Sequence, residues 1–594
     1  MKSVIDTRHL LDPDSRKHRL ALAFLLSFLV RALLAIPVVG FGTPPKFDEQ
    51  SYFRRAEAFE GILKDAVRFR TPQAEERDTF YDSGYRPPFQ SVVMSLGMLF
   101  LGSSAAAARF VMVLLSALTT VLILLVTERL AGPRAGLAAA ALHLAYPSFL
   151  AFSHYLWAET TFIFLLFLSL YISLLIPECR GARGRAGLSL LLGVVFGCLA
   201  QTRSAAFLPM LILLIWIVAA SKGTRAKLLS PVLILAFSLL TILPWEVTLY
   251  RREHKILPLA NNTGILYFVH NPWRSEGENS DESIRRYTWE AANAYARERS
   301  IDPEAAATAL ALKEIRTHFG RFLARCGQEA LFLWTFDYFP VRHVVNAVYP
   351  PLPGGVVLPL VMVLAGTTIV LYLLILKGLM VRTARFRKKA LLLALVAGGA
   401  APYVLSYGNS RYNLPQIALL LPLAGFGLAY FRERTRAFLP LALLLTAGAT
   451  VLFVKSYPGY VSPGIRPSSV YSGPVGRMDD LCRTRSLYGD EFFLEDPGVK
   501  SPAYVTLTIL NAGGSDYSFS QEEPRDQQRI LIAPRRTRAF FVVFAKSPRV
   551  PLKLRVSSPE RGGEVELTPT DRSYWDRFRA IGLGDLQLRW RGGR

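Results

Sequence analysis

The sequence predicts a polytopic α-helical membrane protein with a C-terminal soluble domain of short β-strands, and three observations carry that prediction. Over 594 residues the chain is 51% hydrophobic and only 19% charged, with a mean hydropathy of +0.28, whereas soluble domains carry about 25% charged residues. Eleven apolar runs approach the length needed to cross roughly 30 Å of hydrocarbon. Beyond residue 460 the pattern changes to short, partly alternating runs bounded by Pro, Gly, Ser and Asp, which is how strands read. Four Cys, 42 Gly and 37 Pro exclude disulfide-rich and collagen-like chains and, with so much apolar residue, disorder. A net charge of +24 would point to nucleic acid if it lay in one patch. It lies instead in short clusters between apolar runs, so no nucleic-acid partner is expected.

Taken in order, the apolar runs cover about 20–40, 105–127, 135–153, 156–177, 186–202, 205–220, 228–245, 354–376, 390–406, 413–431 and 437–455. The connections between them are of two kinds. One kind is basic: the N-terminus, Arg129 to Arg134, Arg180 to Arg185, Lys222 to Lys227, Lys377 to Lys389 and Arg432 to Arg436. These hold 22 cations against 6 acids. The short connections near His154, Arg203 and residues 407–412 hold one cation each at most. Lys/Arg bias in short loops sets orientation, so the basic connections and the N-terminus are expected in the cytoplasm. The run from Pro87 to Leu101 is too short for a span, and counting it as one would invert every later loop; a re-entrant or interfacial helix is expected there.

With that parity, segments 41–104, 246–353 and 456–594 face outward, and a bacterial inner membrane facing the periplasm is the simplest setting. The first run lacks a small-residue cleavage site and is expected to be retained as an anchor. The expected domains are a membrane domain over 1–455, with outer loops 41–104 and 246–353, and a β-rich domain over 456–594. An amphipathic stretch from about Ala305 to Phe332 is expected on the outer membrane surface. In the last segment YVTLTIL, RAFFVVF, PLKLRV, EVEL and LQLRW read as strands of a β-sandwich. Cys326 and Cys482 both face the oxidising side; their spacing leaves open whether they pair.

Ionisable residues at membrane depth are costly and usually functional. Here they gather at the outer boundary: Asp48 and Glu49 after the first span, Arg86 before the short helix, and His154 and Glu159 flanking the third and fourth spans. Arg203 sits at a tight outer turn and Arg411 caps the tenth span. Acids and arginines at one leaflet suit a site that binds a phosphate and moves a proton. Each also has a plainer reading. The acids suit a helix N-terminus, the arginines suit headgroups or snorkelling, and His154 and Glu159 suit each other. Arg31, in mid-span, reads as a structural partner for an acid on another helix or as functional.

Ordered motifs add a family resemblance over about 20–431. Phe47-Asp48-Glu49-Gln50-Ser51-Tyr52, Tyr85-Arg86-Pro87-Pro88-Phe89 and His154-Tyr155-Leu156-Trp157-Ala158-Glu159-Thr160 are followed by Pro244-Trp245, Asn261-Asn262-Thr263-Gly264-Ile265-Leu266-Tyr267 and Ser410-Arg411-Tyr412-Asn413-Leu414-Pro415. This set resembles the GT-C glycosyltransferases, in particular the protein O-mannosyltransferases and the lipid A aminoarabinose transferases. The resemblance implies a GT-C fold of about 11 transmembrane helices with periplasmic juxtamembrane helices. It also implies transfer of a sugar, usually with inversion, from a polyprenyl-phosphate-linked donor to a lipid, glycan or protein acceptor. Asp48 matches the catalytic carboxylate. An acceptor hydroxyl needs such a base, and the leaving phosphate needs fixed cations. Arg86 stands where relatives often carry Lys, which keeps the charge and offers a planar fork. The implied substrate-binding residues are Glu49, Tyr52, Arg86, His154, Glu159, Arg203, Tyr267 and Arg411.

No metal-ligand spacing is visible, so no metal and no cofactor are expected. A WWD-type motif is absent, which argues against en bloc transfer to Asn. A transporter or flippase of a lipid-linked saccharide is the alternative. It calls for polar residues at the midplane and on both faces, whereas here they gather at one.

Overall fold

The computed structural model describes residues 15–38, 43–45, 48–81, 86–254, 265–272, 281–337, 340, 354–381, 386–432, 438–444 and 446–448, together with residue 510 and nine C-terminal strands. It divides into two compact units, residues 1–269 with 315–453 and residues 270–314 with 454–594.

The first unit is helical. In chain order it contains α1 (Ser15–Val38), α2 (Asp48–Val67), α3 (Ala74–Tyr81), α4 (Phe89–Leu101), α5 (Ala105–Ala131), α6 (Pro133–Ala145), α7 (Pro147–Phe152), α8 (Ala158–Leu175), α9 (Ala182–Ala200), α10 (Phe207–Ala220), α11 (Thr224–Glu253) and α12 (Ile265–Val269). α13 (Asp281–Arg299) and nearly all of α14 (Pro303–Thr317) fall in the second unit, and the first resumes with α15 (Phe319–Trp334), α16 (Gly354–Met380), α17 (Phe386–Leu405) and α18 (Leu414–Ala429). Seven helices among the described residues are long and apolar enough to cross a membrane: Ala105–Ala131, Ala158–Glu178, Ala182–Ala200, Thr224–Arg252, Pro359–Met380, Lys388–Leu405 and Ser410–Ala429. Each falls on one of the eleven expected runs.

Local chemistry sets several boundaries. The hydroxyl of Ser104 accepts from the Ala107 N–H and caps α5, as N-cap serines do. Gly132, at φ 92°, ends that helix, and Pro133 opens α6 at a position where its missing N–H costs nothing. The run expected as one span over 135–153 is two helices, because Tyr146 is extended before Pro147 (φ −76°, ψ 119°). A residue preceding proline is pushed out of the helical region. The 13 residues of α6 reach only about 20 Å. α4 also has 13 residues, consistent with a helix too short to cross, and its buried face mixes Gln90, Ser91 and Ser95 with Met94 and Met98 while Leu96, Phe100 and Leu101 are exposed.

α1 shows the same pattern. Leu22, Leu25, Leu26, Leu29 and Leu33 are exposed, and the opposite face buries Ser27 and Arg31, as expected of a helix between lipid and protein. Among the described residues Arg31 meets no acid. Its guanidinium donates to Ser116 Oγ on α5 (2.7 Å) and to Ser27 Oγ (2.5 Å), and it lies 3.3 Å from His143 Nδ1 on α6. Hydroxyls and an imidazole therefore take the place of the carboxylate partner that the sequence reading allowed.

α18 is buried along nearly its whole length, and glycines let its neighbours approach. A Cβ on Gly378 of α16 would stand 1.8 Å from the Leu423 carbonyl oxygen, and one on Gly427 would stand 2.0 Å from that of Leu374. Small residues permit such backbone contact in membranes. Gly378→Ala is expected to force α16 and α18 apart at a cost of about 1–3 kcal/mol, read as a lower thermal unfolding midpoint in detergent. An unchanged midpoint would mean that the helices separate freely.

In the second unit, described here by itself, the strands are β1 (Tyr488–Glu495), β2 (Ala503–Ile509), β3 (Tyr517–Ser518), β4 (Gln527–Ile532), β5 (Arg538–Ala545), β6 (Leu552–Ser557), β7 (Gly562–Leu567), β8 (Arg579–Leu583) and β9 (Leu586–Arg591). They form a five-stranded sheet in the order β3-β5-β1-β9-β8 and a four-stranded sheet in the order β4-β2-β6-β7. Every pairing is antiparallel, with Tyr488 opposite Ala545 and Leu552 opposite Leu567. All five runs expected as strands fall on β2, β5, β6, β7 and β9. Cys482 lies outside the described residues.

Candidate functional site

Five residues far apart in sequence meet at the N-terminal ends of five helices. Asp48 lies in the first turn of α2 and Glu159 in the first turn of α8. Arg203 precedes the short turn Ser204–Ala206 that leads into α10, and Arg411 lies in the turn Ser410–Asn413 that leads into α18. Arg86 precedes the Pro87-Pro88 pair that opens α4. The turn before α18 is built for this. Asn409 accepts from the Arg411 N–H (3.1 Å), and Pro415 sits in the first turn of its helix.

The five side chains form one line of alternating charge. Arg86 Nη2 donates to Asp48 Oδ1 (2.6 Å), and Arg411 Nη1 donates to Asp48 Oδ2 (2.8 Å). Arg411 Nε also donates to Glu159 Oε1, with Nη2 3.4 Å from Oε2. Arg203 Nη1 completes the line by donating to Glu159 Oε1 (3.0 Å). Glu159 is fully buried, and Arg411 and Asp48 nearly so, while the terminal arginines Arg86 and Arg203 keep 13% and 14% of their side-chain surface exposed. Three cations face two anions, and helix N-termini add partial positive charge. Burial pulls Arg203 down, but Tyr403, Glu159 and Tyr412 outweigh it and hold its pKa above the ordinary value. The surplus of positive charge suits an anion.

Aromatic rings brace these cations. Arg411 Cζ lies 3.8 Å from the Trp157 ring centroid, Arg203 Cζ lies 4.8 Å from that of Tyr412, and Arg86 Cζ lies 4.9 Å from that of Tyr52. Tyr403 stacks on Tyr412 with centroids 4.8 Å apart. Such contacts favour a fixed guanidinium plane.

Glu49 and His154 hold the frame around this line. Glu49 Oε1 accepts from the Leu156 N–H (3.0 Å), and Oε2 lies 3.8 Å from Arg109 Nη2. Both ring nitrogens of His154 face main-chain carbonyl oxygens, that of Arg31 at 2.7 Å and that of Leu150 at 2.9 Å. The structure thus places His154 as the pin that ties the 153–157 turn to α1, and no ion pair joins it to Glu159. Tyr267 is buried on α12, where its neighbour Phe268 lies 6.3 Å from Tyr407. Tyr407 is in turn 6.3 Å from Tyr412.

Sequence reasoning missed Arg109, Trp157 and Glu329. Arg109 interrupts the apolar run of α5 and carried the same signal as Arg31. Glu329 is buried on the inner face of α15 and accepts from the Gly408 N–H (2.7 Å), while Asn413 Nδ2 donates to the Leu333 carbonyl (2.6 Å). The amphipathic helix therefore clamps the turn that bears Arg411. A Cβ on Gly408 would stand 1.9 Å from the Glu329 carbonyl oxygen, so Gly408→Ala is expected to release the clamp and depress any activity that uses Arg411. Among the described residues no three His, Cys, Asp or Glu side chains converge as a metal set.

Residues 85–247 match the family model for dolichyl-phosphate-mannose-protein mannosyltransferase. No curated protein matches the sequence. Among solved structures, an oligosaccharyltransferase from Archaeoglobus fulgidus in complex with Zn and sulfate is 16% identical, with a TM-score of 0.41 over 77% of this chain and 53% of that one. ArnT from Cupriavidus metallidurans bound to undecaprenyl phosphate is 15% identical, with a TM-score of 0.42 over 78% of this chain and 70% of that one. The archaeal oligosaccharyltransferase AglB from Archaeoglobus fulgidus, in complex with an inhibitory peptide and a dolichol-phosphate, is 16% identical, with a TM-score of 0.41 over 77% and 56%. The chain thus spans little more than half the length of either oligosaccharyltransferase. The family match contains Arg86, His154, Glu159 and Arg203, and over that stretch it agrees with the resemblance to the protein O-mannosyltransferases read from the motifs.

Proposed function

We propose that the protein transfers a sugar from a polyprenyl-phosphate-linked donor to an envelope acceptor (a lipid, a polysaccharide or a protein) on the periplasmic face of a bacterial inner membrane. The observation that carries this reading is the line of charge in which Asp48 lies 2.6 Å from Arg86 and 2.8 Å from Arg411. It puts a candidate base beside cations suited to a phosphate.

In this reading Asp48 takes the proton of the acceptor hydroxyl as its oxygen attacks the anomeric carbon. The bond from that carbon to the phosphate oxygen breaks, and polyprenyl phosphate leaves with the electron pair. Attack from the face opposite the leaving group inverts the centre. Arg86, Arg203 and Arg411 stabilise the charge that grows on the phosphate. Glu49 orients the reacting groups, Glu159 lines the acceptor side while holding two of the arginines, and Tyr52 braces Arg86. Tyr267 and His154 border the site, His154 through the turn that it pins.

The remaining apolar runs, 20–40, 205–220, 437–455 and the run over 135–153, which crosses as the broken pair α6 and α7, complete a membrane domain of eleven spans over 1–455 with the N-terminus in the cytoplasm. The two antiparallel sheets of the C-terminal segment pack as a β-sandwich in a periplasmic domain over 456–594. The basic connections support this orientation.

The test is purified protein in liposomes loaded with a radiolabelled polyprenyl-phosphate sugar and a membrane extract as acceptor. Sugar transfer with release of polyprenyl phosphate is the expected result. Donor crossing the bilayer without being consumed would instead make the protein a flippase.

A further inference from the structure

The line of charge constrains the order of events, and this inference rests on the function proposed above. Both carboxylate oxygens of Asp48 accept from guanidinium groups, Oδ1 from Arg86 and Oδ2 from Arg411. A carboxylate held in that way is a poor proton acceptor, because protonation must break a charge-assisted bond. Its two partners differ. Arg411 is clamped between Asp48 and Glu159 and packed on Trp157, so it is not available to leave. Arg86 stands at one end of the line and is the more exposed of the two partners, at 13% against 8%. Its main chain is fixed, since Arg55 Nη1 donates to the Arg86 carbonyl (3.0 Å). Its guanidinium, lying over Tyr52, can exchange one anion for another without moving the backbone.

We propose that Arg86 is a shared cation for which Asp48 and the donor phosphate compete. A phosphate that draws Arg86 away uncovers Asp48 Oδ1, so the base becomes competent only once the donor is bound, and donor binding precedes proton transfer from the acceptor. After transfer Asp48 carries the proton and is neutral, so it no longer competes, and polyprenyl phosphate keeps Arg86. Loss of that proton restores the carboxylate, which reclaims Arg86 and helps to expel the product. Coupling of this kind is reciprocal.

The test is binding of undecaprenyl phosphate to the full-length protein in nanodiscs, by calorimetry, for wild type, Asp48→Asn, Arg86→Gln and the double variant. Asp48→Asn should bind about tenfold more tightly than wild type, a factor equal to about 1.4 kcal/mol. The double variant should lose that gain. An Asp48→Asn protein that is inactive but binds no more tightly overturns the competition and leaves the proposed function standing. Asp48→Asn that remains active overturns the base assignment instead, whatever its affinity. A gain that persists in the double variant shows that the competition is not at Arg86 and sinks the inference. Should Asp48→Asn fail to fold, wild type alone decides: undecaprenyl phosphate should increase labelling of Asp48 by a hydrophobic carbodiimide, and unchanged or reduced labelling overturns the proposal.

Discussion

Asp48→Asn should slow sugar transfer by about 10²–10⁴-fold, the range associated with losing a positioned general base, while the protein remains folded. The substitution keeps the size of the side chain and one carbonyl oxygen to accept from a guanidinium, but removes the charge and the basicity. Folding should survive because Arg411 retains Glu159, with both Nε and Nη2 directed at its carboxylate. The measurement is transfer of labelled sugar from a polyprenyl-phosphate donor, paired with a thermal unfolding curve in detergent. A second variant guards against a purely structural explanation. Asp48→Glu preserves the charge and can still pair with Arg86, yet one added methylene carries the carboxylate out of register with the hydroxyl it must deprotonate, and small misplacements in a site are costly. Folded, inactive Asn and Glu variants are therefore the expected pair. Full activity in either would reduce Asp48 to a partner for arginines.

The membrane domain was legible because its signal is collective. Length and hydropathy pick out the seven long apolar helices without any knowledge of packing. The break at Tyr146-Pro147 shows the limit of that signal: hydropathy is continuous from 135 to 153, but backbone geometry is not, since proline removes an N–H and disfavours helix in the residue before it. The cluster of charged residues was legible for a different reason. Asp48, Arg86, Glu159, Arg203 and Arg411 stood out as ionisable residues at one boundary, and that anomaly is visible without coordinates. Their pairing was not, because the contacts join residues as far apart as 48 and 411. Aromatic bracing by Trp157 and Tyr412 was equally hidden, since aromatic residues are common near membrane interfaces and nothing in the sequence singles out the ones that face a guanidinium. His154 went the other way. A histidine at the outer boundary reads as a ligand contact, whereas here main-chain carbonyls of Arg31 and Leu150 occupy both of its nitrogens.

Arg411→Ala should be the most destabilising single change in the site. Arg411 is the only one of the three arginines in the line that bridges both acids, donating to Asp48 and to Glu159. Removing it leaves Glu159, fully buried, dependent on Arg203 alone. It also leaves a void against the Trp157 ring, on which the guanidinium packs at 3.8 Å. Breaking a buried ion pair by deleting one partner typically costs about 3–5 kcal/mol, because a desolvated charge remains behind. That is enough to shift a thermal unfolding curve by many degrees or to prevent assembly in the membrane. Arg411→Lys separates charge from geometry. A lysine supplies one compact cation where the planar fork reaches two carboxylates, so it should recover part of the stability and little of the activity. Adding Glu159→Gln to Arg411→Ala removes the stranded charge. The double variant should therefore be less destabilised than the sum of the two single changes, since residues in one network do not behave additively. If the two costs simply add, Glu159 and Arg411 are not coupled, and the continuous line from Arg86 to Arg203 is broken at its centre.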